Sequence, residues 1–434
     1  MNNLLPGDAV RFEALLARAQ HDGKLPSTVA GLIHEGMLVW CGGAGEVAGE
    51  PADTQYRIGS ITKTFTATLV LRARDDGLLS IDEPLSRYVP EAPFGDRTLR
   101  LLLAHISGLP GEPAGPWWER SDGGDFATLV AANASMVAAS AEVADFRYSN
   151  LAYALLGQAV ARVRGEDWWS LVRSRILEPL GMTRTSYQAK GPHAQGYSVS
   201  HLFGTLTPEP HTDTGAMAPA GQLWSTVNDL ARYAGFVLGG HRDVLSLATL
   251  REAAVAQRPG SEYGLGFRAV EGGSGTLVGH TGTMPGFMAS FFCDRGAGTA
   301  FIAFSNATIG QQSVALARSM LSTLAECRPA VVDPWRPTSE VPDEVRELVG
   351  VWHWGETAFE IRWDSDELAM VQLRSGEAHE EFHREGSGWI GTDGSRLDVV
   401  RREDGEVSYL DCETYLFTRT PYDPAAPIPG GPPG

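Results

Sequence analysis

The sequence predicts an α/β chain of the α+β kind in two parts. An antiparallel sheet flanked by helices carries an all-helical subdomain, and a small antiparallel β-barrel domain follows. Three observations predict this. Strand-like runs lie near both ends of the first 326 residues with helical periodicity between them, which calls for one sheet assembled from both ends. From Cys327 to Asp343 the stretch "CRPAVVDPWRPTSEVPD" holds four prolines and no apolar period, the composition of a stiff linker. Beyond it, residues 344–420 alternate apolar and polar in short runs ("TAFEIRW", "LAMVQL", "RLDVVRR", "TYLFTRT") between Gly, Asp and Glu turns.

The elements follow in order. Residues 8–20 form an amphipathic helix, and 28–42 a hairpin turning at His34-Glu35-Gly36. Gly59 punctuates a short strand, and a helix then starts at Ser60. Phe65, Leu69 and Val70 recur at helical spacing along it until Gly77 stands at the C-cap position. Residues 98–180 are mainly helical, within a helical subdomain of about 78–215, and loop chemistry dominates 185–222. A helix over 226–238, strands at 263–270, 276–281, 286–294 and 299–306, and a helix over 310–326 complete a first domain of residues 1–326. Linker 327–343, barrel 344–420 and a disordered Pro/Gly-rich tail 421–434 follow.

Composition narrows the function. A formal net charge of −18 with no Lys/Arg cluster argues against nucleic acid and anionic membrane surfaces as partners. No apolar run is long enough to cross a bilayer. The opening "MNNLLPGDAVRFEALLARAQ" has no basic leader, and Asp8, Arg11 and Glu13 interrupt any apolar stretch, so the expected location is cytoplasmic. Cysteines at 41, 293, 327 and 412 form no C-x-x-C pair. Cys41 and Cys293 both fall in predicted strands, and whether they touch is open.

The stretch "RIGSITKTFTATLV", Arg57–Val70, holds one of only three lysines among 35 basic residues, the others being Lys24 and Lys190. Lysine can lose its proton when desolvated, whereas arginine effectively cannot. Ser60 and Lys63, three apart at a helix start, share a face, so a neutral Lys63 amine can take the Ser60 proton. Free N–H groups there favour an oxyanion. In "FRYSNLAYALLG", Tyr148 and Asn150 stand at i and i+2 before a helix, a phenol to pass protons and a carboxamide to anchor a carbonyl. In "LVGHTGTMPGF", His280, Thr281 and Gly282 end a strand that can pair with an extended substrate. A backbone N–H near Thr283 can complete an oxyanion hole, and Gly282 permits the close approach. Each piece alone is also an ordinary cap, core tyrosine or strand end.

Other features point elsewhere. "HEEFH", 379–383, matches the zinc-protease pattern, which requires a helix, yet it lies in a region read as strands. No metal is expected. His105 in "LLAHISGL" reads as a structural histidine, and Trp117-Trp118, in a Gly/Pro loop, as the tryptophan pair better placed to line a pocket. There is no G-x-S-x-G.

In order and separation the three pieces resemble the S-x-x-K, Y-x-N and K/H-T-G set of the penicillin-recognising serine hydrolases, in the branch of class C-type β-lactamases, D-alanyl-D-alanine carboxypeptidases, D-aminopeptidases and related esterases. "LLAHISGLPG", "YSNLAYALLGQAV", "ILEPLGMTRTSY" and "AGQLWSTVNDLARYA" are similar to family phrases, over roughly residues 10–325. The resemblance implies a β-lactamase-like fold with a lipocalin-like C-terminal barrel. By it Ser60 is the acylated nucleophile, Lys63 and Tyr148 the acid/base pair, Asn150 a substrate contact, and His280 to Thr283 the substrate edge and oxyanion partner. No cofactor is implied. His280 replaces the lysine usual in penicillin-binding enzymes, which weakens fixed carboxylate recognition. The expected activity is therefore that of a carboxylesterase on small esters, with a D-aminopeptidase or D-amino-acid amidase next and a β-lactamase or DD-carboxypeptidase third. A non-catalytic binding protein of the same fold is the rival from another class. The partner is a small-molecule ester or amide, and oligomeric state is left open.

Overall fold

A computed structural model of the chain describes residues 6–138, 145–272, 275–327, 341–364, 367–376, 378–386, 388–392 and 394–421. Two compact units divide it, residues 1–330 and 331–434. The first is built on a six-stranded, wholly antiparallel sheet. Its strands are β1 (Ser27–His34), β2 (Met37–Gly45), β3 (Arg268–Glu271), β4 (Thr276–Met284), β5 (Phe287–Asp294) and β6 (Thr299–Ser305), in the order β2-β1-β6-β5-β4-β3. The pairing of β1 with β6, with Ala30 opposite Ala303, joins the two ends of the unit. The hairpin between β1 and β2 turns on Glu35 and Gly36, whose φ values of 50° and 74° are what a two-residue type I′ turn requires.

Both faces of this sheet are covered, which is why β6 is buried at every position instead of alternating. Helices α1 (Pro6–Gly23), α4 (Val227–Gly239) and α5 (Ser313–Cys327) pack on the strands, and α2 (Thr62–Asp75) packs against α3 (Asn150–Arg164). On one face Phe12 and Leu16 of α1 and Leu316, Met320 and Leu324 of α5 pack on Leu32, Phe292 and Phe301. On the other, Val29, Phe291, Ile302 and Phe304 join the main core with α2 and α4. Helix α2 is buried at every position from Thr62 to Leu71. Its threonines remain satisfied there because Thr64, Thr66 and Thr68 hydroxyls donate to the carbonyls of Ile61, Pro219 and Thr64 at 2.8, 2.8 and 2.7 Å. Gly77, at φ 73°, ends the helix, with the Leu78 N–H reaching back to the Ala73 carbonyl at 2.9 Å.

Several boundaries differ from expectation. The strand expected at 263–270 is confined to Arg268–Glu271, with Tyr263 making one isolated bridge to Arg268, because Gly264 and Gly266 carry the chain through a turn. Between 185 and 215, where loop was expected, the chain also forms a two-stranded ribbon, Tyr197–Val199 with Leu206–Pro208. Cys41 on β2 and Cys293 on β5 share the sheet but are separated by β1 and β6, and none of the four cysteines forms a disulfide.

The second unit is an eight-stranded antiparallel meander, β7 (Gly350–Trp354), β8 (Thr357–Asp364), β9 (Glu367–Gln372), β10 (Ala378–Glu385), β11 (Gly388–Gly391), β12 (Arg396–Arg401), β13 (Val407–Cys412) and β14 (Tyr415–Phe417). The sheet closes on itself where His353 of β7 and Thr418 exchange backbone hydrogen bonds of 2.7 and 2.9 Å. Alternate side chains point inward, and Trp352, Phe359, Phe382, Trp389 and Phe417 fill the interior. "HEEFH" lies on β10, where His379 packs against Phe359 and Tyr415 rather than one helical turn from His383. A short helix, Asp343–Arg346, precedes the barrel. Residues 328–340 of the expected linker and 422–434 of the expected tail lie outside the described residues.

Candidate active site

A tight 3₁₀ turn, Gly59–Ile61, precedes α2 and carries Ser60. Ser60 therefore sits two residues before the α-helix rather than on its first turn. Two glycines allow β4 to lie directly against this turn. A Cβ on Gly282 would stand 1.9 Å from the Ile58 carbonyl oxygen and 3.0 Å from the Ser60 nitrogen, and one on Gly59, at φ 51°, would stand 2.6 Å from the Thr283 nitrogen. The backbones of Ser60 and Thr283 are thus brought together, the juxtaposition that an oxyanion site of two N–H groups needs.

Lys63 is fully buried beneath Ser60. Its Nζ lies 2.9 Å from Ser60 Oγ, 2.7 Å from Asn150 Oδ1 and 2.7 Å from the Ala220 carbonyl oxygen. Burial lowers its pKa from 10.5 to about 7, against the opposing pull of Glu112 and Glu119. A neutral amine has two N–H donors and one lone pair. With the two donors on Asn150 and Ala220, whose oxygens only accept, the lone pair is left for the Ser60 O–H.

Tyr148 and Asn150 reach the same place. Ser149 caps α3 by accepting the Ala152 N–H at 3.1 Å, which leaves Tyr148 extended before the helix and Asn150 as its first residue. The Tyr148 phenol interacts with Ser60, its ring centroid is 4.9 Å from Lys63 Nζ, and burial pushes its pKa well up. His105 supports this segment, as the structural reading of the sequence expects. Its carbonyl accepts the Arg147 N–H at 2.8 Å, its Nδ1 accepts the Ser149 N–H at 3.0 Å, and its ring packs 4.2 Å from the Tyr148 ring centroid.

His280, on β4, is held neutral. Its Nδ1 donates to the Thr281 carbonyl, so Nε2 is the acceptor, and it takes the Tyr263 hydroxyl at 2.9 Å. Burial, and then the nearby Lys63, depress its pKa from 6.5 to about 3. Ser60, Tyr148, Asn150, His280, Thr281 and Thr283 line one cleft of about 600 Å³. Lys63 lies below its floor, and Gly282 faces the Ser60 turn. All eight residues singled out from the sequence are therefore brought together.

The cleft also holds residues the sequence reading did not single out. Glu112, Glu119, Tyr263 and Arg268 line it. Arg268 of β3 reaches Thr281 Oγ1 at 3.4 Å and pairs with Glu262 at 2.9 Å. The Asn150 amide donates to Glu112 at 2.7 Å. Trp117 and Trp118 do not line this cleft; Trp118 lines a separate, smaller cavity of about 160 Å³, and the two indole N–H groups donate to Glu119 at 2.7 Å and Glu112 at 2.6 Å. The sole advance signal for the acids was their place in a Gly/Pro-rich loop.

Fold and site together define a class, that of the penicillin-recognising serine hydrolases. Residues 12–325 match the family described as Beta-lactamase, and the chain belongs to the beta-lactamase family. Residues 341–419 match a second family, described as a domain of unknown function, DUF7586. Esterase EstB of Burkholderia gladioli is 31% identical over 46% of this chain and 56% of its own length. The chain spans about half the length of the curated relatives it matches. Among solved structures, the octameric penicillin-binding protein homologue from Pyrococcus abyssi shares the fold with a TM-score of 0.64 at 23% identity, covering 95% of this chain and 100% of its own. The D-amino acid amidase from Ochrobactrum anthropi SV3 has a TM-score of 0.63 at 25% identity, covering 74% of this chain and 99% of its own. No helix among the described residues is long and apolar enough to cross a membrane.

Proposed function

We propose that the protein is a serine hydrolase that forms an acyl-enzyme on Ser60 and releases it to water, acting on small carboxylic esters. The observation that carries this is the buried Lys63 amine, 2.9 Å from Ser60 Oγ with its other two acceptors fixed. Lys63 loses its proton near neutrality, while burial makes the Tyr148 phenol harder to ionise. Lys63 is accordingly the base and Tyr148 the proton carrier. The Ser60 proton passes to Lys63 as Oγ bonds to the ester carbonyl carbon, and the carbonyl oxygen takes the charge beside the Ser60 and Thr283 N–H groups. Collapse expels the alkoxide, which collects the proton through Tyr148. Water then repeats the sequence on the acyl-enzyme, giving a carboxylic acid and free Ser60.

The neutrality of His280 supports an ester without a carboxylate near the scissile bond. Among the described residues Arg268 is the one strongly basic side chain lining the cleft, and Glu262 already pairs with it. A second reading, hydrolysis of D-amino-acid amides or D-peptides, is favoured by Glu112 and Glu119, which face the cleft where a substrate ammonium group would sit, and by the likeness to a D-amino acid amidase. The test is turnover of p-nitrophenyl acetate beside D-phenylalanine amide and a β-lactam by the full chain and its Ser60→Ala variant. Continued ester product beyond one equivalent, lost with Ser60, supports the proposal. A single equivalent would make the protein a binder, and turnover of the amide alone would move it to the second reading.

A further inference from the structure

We propose that Glu112 is a positioning residue that fixes which way the Asn150 amide points and thereby aims the Lys63 lone pair at Ser60. This rests on the reading of Ser60 and Lys63 as nucleophile and base. The hydrogen bonds form a chain of forced direction. The Trp118 indole N–H, which only donates, holds Glu112 Oε2 at 2.6 Å. The other oxygen, Oε1, accepts Asn150 Nδ2 at 2.7 Å. A carboxylate only accepts, so the amide nitrogen has to face it, and Oδ1 is left facing Lys63 at 2.7 Å. With the amide turned over, Nδ2 would face Lys63, and the neutral amine would spend its lone pair on Asn150 instead of on Ser60. The backbone reinforces the arrangement, because the Asn150 N–H donates to the Gly111 carbonyl at 2.7 Å and places the two side chains edge to edge.

The groups that face Lys63 are Glu112 and Glu119 from the 112–119 loop, Tyr148 and Tyr153 from α3 and the segment before it, His105, and His280 of β4. Of these, Glu112 acts on Lys63 both by charge, raising its proton affinity, and through Asn150.

The experiment is pre-steady-state acylation of the full chain by p-nitrophenyl acetate across pH, comparing wild type with Glu112→Gln, Glu112→Ala and Glu112→Gln/Trp118→Phe, each checked for folding by thermal melting. In Glu112→Gln the indole N–H claims the new amide oxygen and turns its NH₂ toward Asn150, which favours the reversed amide. The acylation rate should fall about 10- to 100-fold with KM little changed. The double variant should recover several-fold, because without the indole donor the glutamine is free to turn its oxygen back. A purely structural role gives no such rescue. Glu112→Ala frees the amide without reversing it, so it should lose less than Glu112→Gln, and its pH limb should move to lower pH as a charge that favours protonated Lys63 is removed. It decides the matter by itself if the glutamine variant does not fold. A Glu112→Gln rate within about twofold of wild type, a double variant no faster than the single, or a loss confined to KM would overturn the proposal. Wild type that never acylates on Ser60 would instead overturn the hydrolase reading.

Discussion

Replacing Lys63 by arginine keeps a cation below Ser60 and removes the ability to give up its proton. The amine lies 2.9 Å from Ser60 Oγ, and burial brings its pKa to about 7. Activity should therefore rise with pH as Lys63 deprotonates: half the molecules carry the neutral amine near pH 7, about one in ten a unit lower. Because its folded-state pKa is depressed, the active form gains on the alkaline side and the limb levels off above neutrality. A guanidinium stays charged throughout and has to crowd three oxygens set within 2.9 Å of the original nitrogen. Loss of general-base assistance costs about 100- to 10,000-fold, equivalent to about 3–5 kcal/mol of barrier. Stopped-flow acylation by an activated ester between pH 5 and 9 measures both quantities. A Lys63→Arg variant within a few-fold of wild type, or a flat wild-type profile, would refute the assignment of Lys63 as base.

Three further outcomes are expected. Gly282→Ala places a methyl group 1.9 Å from the Ile58 carbonyl, so β4 has to leave the Ser60 turn; a stability loss of about 3 kcal/mol in denaturant melts, with acylation falling further than stability, is expected. His280→Asn should leave the acid limb in place, because His280 is already neutral down to about pH 3; a limb near 6.5 that vanishes in the variant would show that the histidine titrates after all. Trp352→Ala empties the fully buried centre of the barrel and should lower the stability of that unit by about 3–5 kcal/mol by calorimetry.

Much of this was legible because the responsible signals are local. The Glu35-Gly36 turn between β1 and β2 and the alternation of the barrel strands act within a few residues, and the helix that follows Ser60 ends at Gly77 as its αL geometry demands. The rare lysine three residues after Ser60 marked the proposed base, since composition and helical spacing both single it out. What escaped depends on register between distant segments. Glu112 matters only because the Gly111 carbonyl grips Asn150, 39 residues on. Arg268 matters because β3 pairs with β4 opposite Gly279. His280 was read as a weak cation, and only the Tyr263 hydroxyl and the Thr281 carbonyl show which tautomer it keeps. For the tryptophans a loop sequence says that they are near a surface, not that their indole N–H groups hold Glu119 and Glu112.

Peptide mapping by mass spectrometry after brief exposure to p-nitrophenyl acetate and acid quench tests the central claim most directly. An acetyl group on the peptide carrying Ser60, absent in Ser60→Ala and accumulating far more slowly in Lys63→Arg, is the expected result. Ester turnover with that serine unmodified, or acetylation undiminished in Lys63→Arg, would contradict it.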